Sequence, residues 1–88
     1  FRFEDDAMLD LRIKAYYSIP KSTSKKKKAA MLAGEIRPTK KPDMDNVVKI
    51  IADSLNRVAY RDDTQIVDQQ CRKFYSENPR VEVSIKNV

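Results

Sequence analysis

The 88-residue sequence predicts a single small α+β domain, in which a mixed sheet of about three or more strands packs with one principal helix. Two segments, Leu9 to Tyr17 and Val81 to Ile85, alternate between apolar side chains and other side chains, as strands with one buried face do. The segment from Val47 to Leu55 instead places apolar residues at the spacing of an amphipathic helix. Together these segments predict the α+β class.

The strands are predicted from the face on which their apolar residues fall. In the first strand, Leu9 to Tyr17, the odd-numbered residues form the buried face. The segment from Gln65 to Tyr75 is rich in β-forming residues but alternates imperfectly, so it is predicted to be a strand with a possible bulge. A turn at Asn78-Pro79 precedes the last strand, Val81 to Ile85.

The remaining segments are assigned from their helix and turn signals. Serine, threonine and lysine dominate from Pro20 to about Lys28, which predicts an exposed loop. Ala29 to Leu32 is predicted to form a short helical turn that Gly34 ends. The principal helix is expected to begin at an N-cap of Asp45 or Asn46 and to run to about Leu55. Asn56 is expected to close it in the left-handed conformation.

The residue types that are missing exclude several kinds of site. Without histidine there is no Ser-His or Cys-His pair and no mixed Cys/His zinc site, and the single glycine excludes a glycine-rich phosphate loop. Any metal site must therefore use oxygen ligands, which favours magnesium or manganese. The single cysteine, Cys71, fits a reducing cytoplasm, and no apolar run is long enough to span a membrane.

Positive charge is concentrated in one segment, Lys21 to Lys41, which we call the basic segment. It contains eight basic residues and only Glu35 as an acidic one, a balance of 8 − 1 = +7, while the other residues sum to 10 − 12 = −2. Such a segment suggests a polyanionic partner. A flexible, solvated loop is the alternative, and charge alone does not decide between them.

Two groups of aspartates are candidates for a metal site. If Asp43 and Asp45 lie in extended backbone, they point to the same side about 7 Å apart, and Asp62 or Asp63 from another segment can complete the cluster. A cation held there polarises a phosphoryl oxygen and activates a water, which makes a histidine base unnecessary. Lys49, one turn into the helix, is placed to stabilise the charge that develops.

Each candidate also has a structural explanation. Asp43 can be a turn residue, Asp45 an N-cap or the partner of Lys49 in an i, i+4 ion pair, and Asp62-Asp63 only a turn. Cys71 is expected to be a packing residue, since no basic neighbour is evident to activate it. The aromatic residues are expected to be core or interface residues rather than platforms for bases, and they are Tyr16, Tyr17, Tyr60, Phe74 and Tyr75.

The identities of the residues around these aspartates are more specific to one protein family than the spacing of the aspartates alone. The run Lys41-Pro42-Asp43-Met44-Asp45-Asn46, with Lys49, Asp53-Ser54-Leu55-Asn56 and Asp62-Asp63-Thr64-Gln65-Ile66, resembles the RusA family of Holliday junction resolvases. The family pattern is approximately KPDxDNxxKxxxDxLN followed by DDxQ(I/V), so the core match covers residues Lys41 to Val67. The flanking strands also fit the family's order of elements.

The resemblance implies a magnesium-dependent homodimeric endonuclease that resolves four-way DNA junctions by symmetric nicking, often encoded by phages or prophages. It implies metal binding by Asp43, Asp45 and Asp63 and a catalytic role for Lys49. The basic segment would then hold DNA phosphates beside the site. Its candidate DNA-binding residues are Lys25, Lys26, Lys27, Lys28, Arg37, Lys40 and Lys41. The alternatives are a non-enzymatic DNA-binding module and, third, a structural or protein-interaction domain.

Two features depart from the family's pattern. Arg57 stands where the family usually has glycine, so the turn after the helix is expected to be built on Asn56. The family's N-terminal strand and helix, with a segment rich in Pro, Asn and Tyr, have no counterpart before Phe1. The chain is therefore expected to lack them.

Overall fold

A three-stranded mixed sheet with two helices forms the fold, which confirms the predicted α+β class. The computed structural model describes residues 2–88. The elements, in chain order, are β1 (Leu9–Ser18), α1 (Lys25–Leu32), α2 (Met44–Leu55), a 3₁₀ turn (Asp63–Gln65), β2 (Ile66–Ser76) and β3 (Arg80–Asn87). Within residues 2–88, neither helix is long and apolar enough to cross a membrane.

Strand β1 is the centre of the sheet, and the strand order is β2-β1-β3. It pairs in parallel with β2 and antiparallel with β3. Because a parallel pair cannot be closed by a tight turn, residues 19–65 form a long crossover between β1 and β2. Both helices and the whole basic segment lie in that crossover.

The bulge expected in the second strand is present at its start. Leu9 lies opposite Ile66, whereas Asp10 lies opposite Asp68, so Val67 is the extra residue of β2. From Asp68 onward the register with β1 is regular. The bulge explains why Ile66 breaks the alternation, because it shifts the parity of the residues on either side of it. Phe74 breaks it for another reason, since this ring stacks on Tyr16.

The core lies between β1 and α2. Leu11, Ile13 and Ala15 of β1 pack with Val47 and Ala52 of α2, and all five are buried. This confirms the predicted inward face of β1 and the apolar stripe of the helix. The partly buried apolar side chains packed around this cluster are Tyr17, Val48, Ile51, Ile66, Cys71 and Ile85.

Strand β3 is present where it was predicted, but most of its apolar face is open. Val81 and Val83 are 50% and 41% exposed, and only Ile85 packs against the core cluster. Their register partners Ala15 and Ile13 in β1 are buried, because α2 covers the centre of the sheet. The prediction of one buried face therefore holds for β3 only at Ile85.

The prediction of a loop through Lys28 is wrong, because α1 already begins at Lys25. Ser24 is its N-cap, and the Ser24 hydroxyl accepts a hydrogen bond from the backbone N–H of Lys27 at 3.3 Å. A serine cap followed by lysines, which are good helix formers, is sufficient to start a helix. Gly34 follows the helix with a φ of +83°, as its predicted role in ending it requires.

Helix α2 ends at Leu55 as predicted, but its N-cap lies two or three residues before the predicted position and its C-terminal turn differs. Its N-cap is Asp43 rather than Asp45 or Asn46, because the carbonyl of Asp43 already accepts the N–H of Val47 at 3.0 Å. At the other end, Asn56 has a φ of −56° and does not adopt the left-handed conformation. Arg57 adopts it instead, with a φ of 64°. The left-handed residue after α2 is therefore at the position where the family pattern has glycine.

Gln65 connects the start of β2 to the N-terminal segment. Its Oε1 accepts hydrogen bonds from the backbone N–H groups of Arg61 and Asp62, at 2.9 and 3.2 Å. Its Nε2 donates to the carbonyls of Glu4 and Ala7, at 2.9 and 3.2 Å. The amide group thus uses two acceptor and two donor positions, which is its full capacity. The turn that carries Asp62 and Asp63 is held in place by this one side chain.

Replacing Arg57 with glycine should stabilise the protein. A residue with a Cβ in the left-handed region costs about 1 kcal/mol relative to glycine, and the Arg57 side chain makes no hydrogen bond or ion pair in residues 2–88. Arg57→Gly should therefore raise the melting temperature by roughly 4 to 8 °C for a domain of this size. Arg57→Ala is the matched control, because it removes the same side chain but keeps the strain. An equal gain from both variants would contradict the backbone explanation.

Replacing Gln65 with glutamate should destabilise the protein. The change keeps the shape of the side chain but turns its donor group into a carboxylate oxygen, which faces the carbonyls of Glu4 and Ala7. Two lost hydrogen bonds and this repulsion should lower the free energy of unfolding by about 2 kcal/mol, measured by urea denaturation. Gln69→Glu adds the same charge at an exposed position of β2. A similar loss in that control would assign the effect to charge alone.

Candidate functional site

The N-terminal half of α2 and the start of β2 form a cleft of about 590 Å³ that contains three of the four predicted catalytic residues. Asp45 and Lys49 enter it from α2, and Asp63 enters it from the 3₁₀ turn before β2. The other lining residues are Val48, Ala52, Ile66, Val67, Asp68 and Gln69. Residues separated by a whole helix in the sequence therefore meet at one site.

Asp43, the fourth predicted residue, lines a neighbouring groove of about 660 Å³. Asp45 and Lys49 line this groove as well, together with Lys41. These two residues of α2 thus face both depressions, while Asp43 belongs to one and Asp63 to the other. Asp43 and Asp63 therefore line different depressions.

The expectation that Asp43 and Asp45 point to the same side of an extended segment is wrong. Asp43 is the last extended residue, with φ −66° and ψ 155°, and Met44 and Asp45 already belong to α2. Successive helical residues turn by about 100° around the axis, so alternate residues do not share a side as they do in a strand. Asp45 therefore lines the cleft as well as the groove of Asp43, whereas Asp43 lines only the groove.

The oxygen donors at this site fit a hard divalent cation in their chemistry. Carboxylates of Asp45, Asp63 and Asp68 line one cleft with the amide of Gln69. In the described part of the chain, no three acidic or cysteine side chains are grouped closely enough to hold a metal ion by themselves. Magnesium requires only one or two protein carboxylates, since it keeps waters and takes phosphate oxygens from its substrate. The donor set therefore suits magnesium bound jointly with a phosphodiester.

The structure does not support the purely structural explanations of the α2 carboxylates. The side chain of Asp43 makes no capping hydrogen bond, although its backbone is the N-cap. Asp45 lies past the cap, in the first turn of α2, and over residues 2–88 it forms no ion pair with Lys49 within 4.0 Å. Both carboxylates are exposed. They are thus unpaired groups at a helix N-terminus, where the macrodipole favours negative charge.

Asp62 and Asp63 influence each other. A hydrogen bond between their carboxyl groups lowers the pKa of Asp62 and raises that of Asp63. The negative charges of Asp62 and Asp53 raise the pKa of Asp63 further. Carboxylates that repel one another in this way are relieved by a cation, which favours their charged form.

Asp53 is a neighbour of this acidic group that the sequence analysis did not include among the site residues. Burial raises the pKa of the Tyr60 hydroxyl, and the charges of Asp63, Asp53 and Asp62 raise it further. Tyr60 is fully buried and donates a hydrogen bond to the carbonyl of Ala52 at 2.7 Å. The signal was available, because Asp45, Lys49 and Asp53 follow one another at four-residue steps along one side of α2.

Two hydrogen bonds hold the segment just before Asp43. The Tyr17 hydroxyl donates to the carbonyl of Pro42 at 2.9 Å, and the Lys73 ammonium donates to the carbonyl of Lys40 at 2.7 Å. The Lys73 Nζ also lies 5.1 Å from the centre of the Tyr17 ring, a cation–π contact. Tyr17 was predicted to be a core or interface residue, and Lys73 was not predicted to belong to the site, although its inward position in β2 was the available signal.

The predicted DNA-binding residues fall into two groups. Lys25, Lys26 and Lys27 are exposed on the first turn of α1, whereas Lys28 pairs with Glu77 at 2.7 Å and lowers the pKa of that carboxyl group. The others lie on the segment that returns from α1 to α2. There Arg37 stacks on Phe74, Lys40 lies 6.0 Å from the ring centres of Tyr17 and Tyr75, and Lys41 lines the groove of Asp43.

Cys71 and Tyr60 have the packing roles that were predicted for them. Cys71 is half-buried against the core cluster, and burial raises the pKa of its thiol, an effect that the charge of Lys73 opposes. A thiol with a raised pKa is a poor nucleophile near neutral pH. The chemistry of the site therefore rests on oxygen and ammonium groups.

Comparison with known proteins gives a family. Residues 3–86 match the family described as Endodeoxyribonuclease RusA. The uncharacterized protein YqaN of Bacillus subtilis strain 168 is 51% identical over 82 residues, which cover 91% of this chain and 58% of that protein. The chain thus spans little more than half the length of this relative. No solved structure matches the chain significantly. With a family match over nearly its whole length, the chain belongs to the RusA endodeoxyribonuclease family.

Proposed function

We propose that the protein is a magnesium-dependent endodeoxyribonuclease that resolves four-way DNA junctions by symmetric nicking during recombination and repair. Membership of the RusA family supports a nuclease that acts on junctions. The observation that carries the proposal is the meeting of Asp45, Lys49 and Asp63 in one cleft, although Asp63 comes from a different element. Unpaired carboxylates with one lysine form a site for phosphoryl chemistry rather than for acyl transfer.

The carboxylates of Asp45 and Asp63 would hold magnesium, or manganese, in the cleft, and Asp43 would contribute from the neighbouring groove. When bound, the cation supplies a positive charge that polarises a phosphoryl oxygen and activates a water for in-line attack. The exposed ammonium of Lys49 then stabilises the charge that develops on the pentavalent phosphorus or on the leaving oxygen. Gln65 keeps the turn of Asp63 in position throughout.

The basic segment is the proposed contact for DNA phosphates. Four consecutive lysines occupy the first turn of α1, and that turn has no acidic residue. Positive charge at a helix N-terminus opposes the helix macrodipole, and adjacent lysines also repel one another. A bound phosphate backbone removes both penalties. The charge pattern of α1 is therefore better suited to a DNA-bound state than to the free protein.

A homodimer is the proposed active assembly. A four-way junction has two strands to be cut at positions related by two-fold symmetry, and one chain supplies one cleft. Two chains related by a two-fold axis present two clefts with the same geometry. Analytical ultracentrifugation measures this assembly directly.

Asp45→Asn should abolish nicking and leave junction binding intact. The substitution keeps the size of the side chain and removes the charge that holds the cation, so the cleavage rate should fall by at least about a hundredfold. Binding in EDTA, measured by fluorescence anisotropy, should stay within about twofold of the wild type, since phosphate contacts come from basic residues.

Asp6→Asn is the matched control for this variant. Asp6 is exposed in the N-terminal segment, forms no ion pair in residues 2–88, and does not line the cleft or the groove of Asp43. The Asp6→Asn variant should therefore cleave the junction at the wild-type rate. Unchanged cleavage by Asp45→Asn would remove Asp45 from the metal site and favour the second candidate, a non-enzymatic DNA-binding module that uses the basic segment.

The protein should nick a synthetic four-way junction in magnesium and should not do so in EDTA. Linear duplex of the same arm sequence should remain intact under both conditions. Denaturing gels of end-labelled strands locate the nicks, which should appear in pairs related by the two-fold symmetry of the junction. Binding with no nicks at any magnesium or manganese concentration would overturn the nuclease proposal for this chain.

A further inference from the structure

The face of the sheet opposite α2 carries charged and aromatic side chains, and we call it the outer face. It consists of the residues that alternate with the core positions. They are Asp10, Arg12, Lys14 and Tyr16 of β1, Asp68, Gln70, Arg72 and Phe74 of β2, and Arg80, Glu82, Ser84 and Lys86 of β3. The strand registers arrange these side chains in rows that cross the three strands. Only Asp68, which also lines the cleft, and Phe74, which contacts Arg37, have entered the proposed function so far.

One end of the outer face is a row of stacked planar groups. The rings of Tyr16 and Phe74 stack with their centres 5.5 Å apart and an angle of 24° between them. The Arg37 guanidinium lies 4.3 Å from the centre of the Phe74 ring, and that of Arg80 lies 4.0 Å from the Tyr16 ring. Arg37 comes from the basic segment. The row therefore joins the outer face to the predicted DNA-binding residues.

The next row presents two cations without partners. Lys14 lies opposite Arg72 in the register, both are exposed, and neither forms an ion pair in residues 2–88. The other basic side chains of the outer face form ion pairs with carboxylates of the same face. Arg12 and Lys86 lie 3.2 and 4.0 Å from the Asp10 carboxylate, and Arg80 lies 2.9 Å from that of Glu82. Lys14 and Arg72 line a depression of about 500 Å³ together with Glu82, which lies opposite Lys14 in β3 and forms an ion pair with Arg80.

Two adjacent unpaired cations repel each other, and an anion placed between them relieves that repulsion. The stacked row beside them adds an arginine that is prepared for phosphate. The Arg37 Nε donates to the carbonyl of Lys73 at 2.7 Å, while its terminal nitrogens donate to no group in residues 2–88. A guanidinium fixed on a ring face, with its terminal N–H groups free, suits bidentate phosphate binding. Charge complementarity thus favours a phosphate backbone as the occupant.

Lys14 and Arg72, at the centre of the outer face, do not line the catalytic cleft, and Asp68 at the start of β2 belongs to both regions. The cleft lies beside α2, and the molecule is 20 Å across along each of its shorter axes. Duplex DNA is stiff, with a persistence length of about 150 base pairs, so one short straight duplex does not wrap around a body of this thickness. We propose that the outer face, centred on Lys14 and Arg72, binds the phosphate backbone of a second duplex segment of a branched DNA. This inference rests on the proposed function, in which the cleft holds the first segment.

The test compares junction and duplex binding by the double variant Lys14→Gln/Arg72→Gln. Affinities are measured by fluorescence anisotropy in EDTA over a range of salt concentrations, on a four-way junction and on linear duplex. Each lost phosphate contact lowers the salt slope by about 0.9, so the slope for the junction should fall by about 2. Junction affinity should fall by on the order of tenfold. Affinity for linear duplex should fall less, because a duplex that occupies the basic segment does not need the outer face.

Arg2→Gln/Arg57→Gln is the matched control, since it removes the same charge from exposed positions that lie outside the three strands, the cleft and the groove of Asp43. Its salt slope on the junction should stay close to that of the wild type. An unchanged slope in the Lys14/Arg72 variant, or equal losses in both double variants, would overturn the proposal. Thermal unfolding verifies the fold, and the single variant Lys14→Gln, with an expected slope change of about 1, is a second measurement.

Cleavage by the wild-type protein separates this inference from the function on which it rests. If the wild type does not nick the junction in magnesium, the nuclease proposal fails, whereas the anisotropy comparison still decides whether the outer face binds DNA. If the wild type nicks the junction and the Lys14/Arg72 variant binds it with an unchanged slope, the nuclease proposal stands and the outer face is excluded.

Discussion

The parallel pairing of β1 with β2 is the constraint on which the rest of the structure depends. A parallel neighbour requires a crossover, and here residues 19–65 provide it. That connection contains the basic segment and α2, and it ends at Asp62 and Asp63, next to the polar side of the helix. Because α2 covers the centre of the sheet and buries Leu11 and Ile13, one side of the helix borders the same cleft as the start of β2. The same packing that forms the core thus brings the carboxylates together.

Helix and strand positions followed from the sequence wherever burial on one side decides the local structure. The alternation in β1 and the apolar stripe of α2 identified the core residues, and the disturbed alternation in β2 indicated the bulge. The prediction was less accurate where backbone hydrogen bonds decide. Composition around Lys25 indicated a loop, but the Ser24 cap begins a helix there, and α2 begins two residues earlier than the side chains of Asp45 and Asn46 suggested.

In the candidate site, too, the sequence predicted some features and left others to the structure. Asp45, Lys49 and Asp63 were identified from the motif, and the structure places them in one cleft, but the relation of Asp43 to Asp45 required the helix start to be known. The contribution of Tyr17 and Lys73 depends on contacts between residues far apart in the chain, such as that from Lys73 to the carbonyl of Lys40. Gln65 is part of the sequence motif, but only the structure shows that its amide bonds the backbone of Arg61 and of Glu4. Sequence patterns identify reactive groups more readily than the groups that hold them.

The two helices use their N-termini in opposite ways. Carboxylates lie at the start of α2, where the macrodipole stabilises negative charge, so this end of the helix is favourable in the free protein. Lysines lie at the start of α1, where the macrodipole opposes positive charge. The first arrangement reduces the cost of gathering acidic groups in one place. The second leaves Lys25, Lys26 and Lys27 without an ion pair in residues 2–88, whereas Lys28 pairs with Glu77.

The bulge at Val67 has a consequence for how this site can vary among related chains. Every β2 residue from Asp68 onward keeps its register with β1, and the extra residue lies between this regular part and the turn of Asp63. Loss or gain of one residue at the bulge would move that turn along the strand axis without exchanging the inward and outward side chains of the rest of β2. The bulge is thus a position at which the length of the connection between the sheet and the turn of Asp63 can change. Natural variation can alter the width of the cleft there and leave the core unchanged.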